Sequence, residues 1–258
     1  MTLDANQAVP LISEQGFLQM LPYLLAILAA FAFILYLKRH TFFFSIRDAI
    51  RFGWEHLPEC FGIFFILILL ITTTTFGTLV LQHVFEKNGD TTMYLLVSLL
   101  NMFFQLFCSL ILLRASLDSC EGGKSTIAEL LPSFRTYLNY VTSSLLFTFV
   151  VILGIVFFIV PGIVIGARMQ FHGFLIADRD LGPVDSLRES FQMTRGLTWN
   201  LLALNLAMLI ILVAGVLAFG VGIIIAVPVV YLAAAYAYCY ISDEEEANTP
   251  PVPEETVA

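Results

Sequence analysis

Seven stretches of the chain, residues 17–37, 60–82, 93–113, 138–160, 161–177, 199–219 and 220–241, contain no Asp, Glu, Lys or Arg apart from Arg168 in the fifth. A run of about 20 predominantly apolar residues is what a helix needs to cross a hydrocarbon core roughly 30 Å thick. The fifth stretch is the marginal one, because its length rises only about 26 Å and it carries both Arg168 and His172. Composition agrees: 59% of the residues are hydrophobic and 12% charged, against about 25% charged in a soluble domain. A soluble globular fold is excluded. The pattern predicts an all-α, polytopic helical membrane bundle of about seven transmembrane helices.

Charge gives an expected orientation. Ten of the twelve Lys and Arg residues (Lys38, Arg39, Arg47, Arg51, Arg114, Lys124, Arg135, Arg179, Arg188 and Arg195) follow the first, third and fifth stretches, and Lys87 alone falls in an opposite-side loop. Positive charge in short loops is retained on the cytoplasmic side. The amino terminus is therefore expected outside and the carboxy terminus in the cytoplasm. No basic segment precedes residues 17–37, so this stretch is expected to stay as a helix and not be cleaved as a signal peptide. The net charge of −8 is dominated by the six acids after Ile241, which stand among three prolines with no base. Residues 242–258 read as a disordered acidic tail.

A pattern of hydroxyl, aliphatic, any, acid, any, apolar recurs at Ser45-Ile46-Arg47-Asp48-Ala49-Ile50, at Thr126-Ile127-Ala128-Glu129-Leu130-Leu131 and at Ser186-Leu187-Arg188-Glu189-Ser190-Phe191. Each copy precedes a hydrophobic hairpin. Phe43, Ile46, Ile50, Trp54 and Leu57 in the first, and Val184, Leu187, Phe191 and Leu197 in the third, approximate helical spacing. Each copy is expected to be an amphipathic helix in the headgroup region. The hydroxyl-to-acid spacing is also that of a capping box, although Gly182-Pro183 suggests an earlier start for the third copy. The organisation expected is an external tail with a leading helix (1–42), three units of amphipathic helix plus hairpin (43–115, 124–177 and 182–241), and the tail. Hairpin tips at Val160-Pro161-Gly162 and Phe219-Gly220-Val221-Gly222 carry no charge.

The candidate intramembrane polar site consists of Arg168, His172, Asn101, Gln105 and Asn205. Arg168 and His172 stand four apart on one helical face, as do Asn101 and Gln105. A buried Arg in a span costs at least about 2.5 kcal/mol and faces a bundle interior, a cavity or a partner. Carbonyls loosened by Pro161, the neighbouring amides, or a lipid phosphate are the partners weighed. Asp178-Arg179-Asp180 reads as a solvated helix end. Gly162/Gly166, Ala214/Ala218/Gly222/Ala226 and Ala233/Ala237 repeat small residues at a spacing that lets helices approach. Cys60, Cys108, Cys120 and Cys239 lack CxxC spacing and read as reduced packing residues, and the four histidines are scattered. No metal site and no cofactor are expected. Nucleotide-binding and nucleophile-elbow motifs are absent.

At Pro161-Gly162-Ile163 through Arg168, then Phe174, Ala177-Asp178, Leu181-Gly182-Pro183, Ser186-Leu187, Ser190, Thr194-Arg195-Gly196 and Trp199, the chain resembles the YciC-like bacterial membrane proteins. It also resembles the membrane domain attached to some bacterial glycerophosphodiester phosphodiesterases. The resemblance covers residues 155–240 well and residues 40–150 only in rhythm. It implies a bacterial plasma membrane and a helical bundle without an established reaction. The phosphodiesterase activity of the fused relatives does not carry over.

The expected function is therefore that of a non-catalytic membrane protein. Its partners are membrane lipids, with other membrane proteins as further candidates and no nucleic acid. Arg47, Arg51, Arg188 and Arg195 are the candidate lipid-headgroup contacts. The alternative is a transporter or lipid-translocating protein with a polar groove around Arg168 and His172.

Overall fold

A computed structural model describes residues 45–88, 90–123, 127–218 and 222–248. The expected leading span, 17–37, lies outside the described residues, as does the end of the acidic tail. The described residues form one unit, helical without strands. In chain order the helices are α1 (Ile46–Asn88), α2 (Thr91–Cys120), the single turn α3 (Ile127–Leu130), α4 (Phe134–Phe157), α5 (Ile159–Met169), α6 (His172–Arg179), α7 (Pro183–Met193), α8 (Thr198–Leu217) and α9 (Ile223–Asn248). Six are long and apolar enough to cross a membrane when α5 and α6 are counted together as Ile159–Arg179. Each of the six stretches expected from residue 60 onward falls on one of them.

The elements differ from expectation at the first two copies of the recurrent pattern, at one hairpin tip and in the tail, while the third copy starts where Gly182-Pro183 suggested. The first copy of the recurrent pattern is not a separate headgroup helix, because α1 continues unbroken from Ile46 through Pro58 to Asn88. The second copy supplies only the single turn α3. The third is the 11-residue α7, which starts at Pro183 with Gly182 as its N-cap, so Ser186 lies inside the helix. Proline at the first helical position explains that start, since its missing N–H has no intrahelical partner there in any case. The tip between α4 and α5 turns at Phe158, whose extended φ and ψ of −155° and 115° break the helix. Pro161 then belongs to the first turn of α5, where proline is tolerated. Finally, α9 carries the acidic segment as helix to Asn248, although acids at a helix C-terminus are opposed by the dipole. Arg179 holds Ser242 of that segment through a 2.6 Å hydrogen bond.

Packing is concentrated at one end of the bundle. Leu110 of α2, Leu201 and Leu204 of α8, and Ala237 and Tyr238 of α9 are buried, each in the half of its helix near the α2 C-terminus and the α9 C-terminus. We call this the basal end. The opposite halves expose apolar side chains, for example Leu95, Leu100, Val156, Phe157 and Leu217, as surfaces that meet lipid tails do. α9 packs against α1, α2 and α8, while α6 packs against α2, α4 and α7. Gly53 lets α1 approach α9: a Cβ there would stand 2.7 Å from the Val229 carbonyl oxygen. Lipid tails are as apolar as leucine, so such contacts gain from close packing and not from hydrophobic burial.

Candidate functional site

The span formed by α5 and α6 is broken at Gln170 and Phe171, between the two helices. A break frees backbone groups that a bilayer cannot satisfy. α7 satisfies them. Its Ser190 hydroxyl donates to the Arg168 carbonyl oxygen at 2.9 Å and accepts from the Phe171 amide at 3.1 Å. Thr194 Oγ1 lies 3.0 Å from the same Arg168 oxygen and 2.7 Å from the Ser190 oxygen, so its one proton serves two carbonyls. Ser186, Ser190 and Thr194 are all fully buried. The buried face of α7 is thus a hydroxyl stripe with Leu187 and Met193, while Val184 and Phe191 are exposed. α7 thus turns its small polar side chains inward because they answer a broken helix, and leaves Val184 and Phe191 outward.

Arg168 completes the joint. Its Nη2 donates to the Phe191 carbonyl oxygen at 2.6 Å, and its guanidinium carbon stands 3.6 Å from the centroid of the Phe191 ring. A cation at the last turn of α7 also meets the negative end of that helix. Its partner is therefore neither the backbone at Pro161 nor an amide side chain. The other end of α7 is held by Ser186, 3.1 Å from Ser143 of α4, and by Asn139, which donates to the Leu181 oxygen at 3.4 Å.

The remaining candidates lie apart, and no side-chain hydrogen bond joins any two of the five among the described residues. His172 is 8% exposed and stacks on Phe147 at 4.8 Å. Its Nδ1 donates to the Met169 oxygen at 3.0 Å, and its Nε2 is buried without a partner. Gln105 donates to Thr75 of α1 at 3.1 Å. Asn101 lines an outward groove of about 410 Å³ with Thr74, Gly77 and Thr78. Asn205 is half-buried on α8. Arg47, Arg51, Arg188 and Arg195 are exposed, with Arg51 paired to Glu55 at 2.7 Å.

Three features were not foreseen. The Asp178-Arg179-Asp180 segment is no free helix end: Asp178 accepts from Tyr238 at 2.7 Å, Arg179 donates to Ser242, and Asp180 accepts from Thr136 at 2.8 Å. Ser109 lies 3.1 Å from the Tyr140 hydroxyl and 3.2 Å from that of Tyr231, joining α2, α4 and α9 in the interior. A cavity of about 290 Å³ at the basal end is lined by Glu59, Cys60, Asp118, Gly123 and Leu130, among others. Only the charged triplet was visible as a motif. Its partners are too distant in the chain for spacing to reveal.

This geometry defines a helical membrane protein in which the span formed by α5 and α6 is broken and held by the short helix α7. Residues 91–257 match the model of a family described as a domain of unknown function, DUF7847, and the chain belongs to that family. The match begins at the first residue of α2 and takes in the whole α5–α7 joint. Over 131 residues the chain is 30% identical to the uncharacterized protein Rv2560 of Mycobacterium tuberculosis (strain ATCC 25618 / H37Rv). That alignment covers 51% of the chain and 40% of the relative, so less than half of the relative's length is matched. No solved structure matches.

Proposed function

We propose that the protein is a non-catalytic multi-pass module of a bacterial plasma membrane whose basal end faces the cytoplasm, binds anionic lipid headgroups and positions a partner membrane protein there. The amino terminus is outside and the carboxy terminus inside, in keeping with the loop charge bias. The observation that carries the reading is the exposure of Arg47, Arg51, Arg188 and Arg195 on segments at the closely packed end of the bundle. Each basic residue near an anionic surface contributes about 1 kcal/mol. Asp48, Glu55, Asp185 and Glu189 offset part of that charge, so the expected binding is modest and salt-sensitive. Descent from the YciC-like proteins, supported by residues 161–199, fits the same reading.

Replacing the four arginines by Glu in the lipid-reconstituted full chain tests it. Co-purified anionic lipid falls while helicity is kept. Unchanged lipid content overturns the proposal. A transporter acting through a polar groove at Arg168 and His172 is the second reading, favoured by one observation, the unpartnered His172 Nε2. Solute or lipid flux by the wild-type protein in proteoliposomes would decide for it.

A further inference from the structure

The corner where α5 meets α7 and α8 holds more positive charge than its contacts use. Arg168 spends Nη2 on the Phe191 carbonyl and lays its guanidinium against the Phe191 ring, while its Nε is buried with no hydrogen-bond partner. The same joint fixes a second arginine at its edge. Thr194 donates to the Arg168 carbonyl oxygen at 3.0 Å, and the next residue, Arg195, continues the turn by donating its amide to the Gln192 oxygen at 2.9 Å. Arg195 thus leaves the chain one residue from a direct contact with Arg168. It is exposed, and a Cβ on neighbouring Gly196 would meet nothing within 4 Å, so the space beside it is open. Among the described residues neither arginine forms an ion pair, although α7 carries Asp185 and Glu189. α8 opens three residues further on, with no acid in its first turn and no side-chain acceptor at its N-cap Leu197. Asn200 in that turn is 5% exposed, and its Nδ2 has no acceptor. Arg168 Nε, Asn200 Nδ2 and the positive end of α8 all lack an acceptor or a negative charge.

We propose that Arg168 and Arg195 form a site for a phosphomonoester dianion at the corner of α5, α7 and α8, carried by a lipid headgroup of the phosphatidate type or by free phosphate. A lipid as the source rests on the headgroup reading above, whereas the match of charge does not. Two guanidinium groups with no acid between them match two negative charges, and a phosphodiester headgroup brings only one. Arginine offers paired N–H donors to phosphate oxygens, and the start of a helix favours the same ligand. Trp199, 39% exposed in the first turn of α8, puts the corner at the membrane interface, where aromatic side chains collect. Arg168 keeps its contact with Phe191, so the ligand completes the joint without opening it.

Native mass spectrometry of the full chain in detergent at about pH 8, where a phosphomonoester carries close to two charges, compares equal concentrations of dioleoyl phosphatidate, dioleoyl phosphatidylglycerol and inorganic phosphate. Phosphatidate is expected to be retained over phosphatidylglycerol. Arg195→Gln, at an exposed position, is expected to lower phosphatidate retention about fivefold, the effect of one basic residue near an anionic surface, with an unchanged melting temperature. Arg47→Gln, on α1, should leave the preference intact. Equal retention of the two lipids by the wild type overturns the proposal, as does a preference that survives Arg195→Gln. Either result leaves the four-arginine reading standing if charge reversal there still strips anionic lipid. Retention of inorganic phosphate without phosphatidate supports the site and removes the lipid as its source.

Discussion

Arg168 donates to the backbone oxygen of Phe191 at 2.6 Å while its guanidinium lies 3.6 Å from the centroid of that residue's ring. One side chain thus engages a single residue twice, once through its carbonyl and once through its π face. The two contacts lock the C-terminal turn of α7 onto the end of α5, at the level where the crossing is broken.

Arg168→Leu is expected to destabilise the protein by about 2 kcal/mol, the sum of a charged hydrogen bond and a cation–π contact of ordinary strength. Arg168→Lys should recover little, because an ammonium does not stack on the ring as a planar guanidinium does. Thermal melting in detergent measures both. A wild-type melting temperature for Arg168→Leu would show that the contact is not structural and strengthen the ligand reading of this residue.

Ser190→Ala and Thr194→Val each remove a hydroxyl that answers the Arg168 carbonyl. Leaving a buried backbone group unsatisfied costs about 1–3 kcal/mol. The two hydroxyls share one acceptor, so the double variant is expected to deviate from additivity by about 0.5 kcal/mol or more. A double-mutant cycle on unfolding free energies gives that number directly, and strict additivity would mean that the hydroxyls act independently.

Two glycines on the same helix provide a matched pair. At Gly53 an added Cβ would meet the Val229 carbonyl oxygen at 2.7 Å, whereas at Gly77 nothing lies within 4 Å. Gly53→Ala should push α1 from α9 and lower the melting temperature. Gly77→Ala should be neutral or raise it slightly, since alanine is the better helix former by about 1 kcal/mol. Equal effects at the two positions would contradict the α1–α9 contact.

Gly122 and Asn88 lie at opposite ends of α2 and α1 and are expected on opposite sides of the membrane, Gly122 in the cytoplasm. Single cysteines at these positions in a cysteine-free chain, labelled in intact cells by an impermeant maleimide, should react at position 88 and not at 122. The reverse result would invert the orientation, and equal labelling would remove a crossing.

The crossings were legible because they are local. A run such as residues 199–219 announces itself through composition, and the charge at Lys87 or Arg114 marks where it stops. Even the marginal fifth stretch was visible, since flanking charge required it. What joins the crossings was not legible. The hydroxyl of Ser190 could be read as a helix cap or as a solvated polar face, and only the backbone break 19 residues earlier, at Phe171, gives it a buried partner. The same holds for Asp178 with Tyr238. At α7 the spacing of Val184, Leu187 and Phe191 marked a helix but gave no sign that its buried face carries hydroxyls. At α1, nothing between Ser45 and the first charge-free run stops a helix except Pro58, and Pro58 does not stop it.

That uninterrupted helix makes α1 a lever. Its 43 residues extend about 64 Å, beyond the roughly 40–45 Å of a bilayer with its headgroups. The pivot is the buried cluster containing Phe64, Leu67 and Ile68, which sits near the midpoint and leaves two arms of similar length. A tilt of about 5° about Leu67 carries Ile46 and Asn88 about 3 Å in opposite directions. A change of tilt with bilayer thickness would therefore carry Arg47 and Arg51 sideways. The stiffness of that lever rests on Pro58, which lies on the basal arm and deletes one rung of the hydrogen-bond ladder.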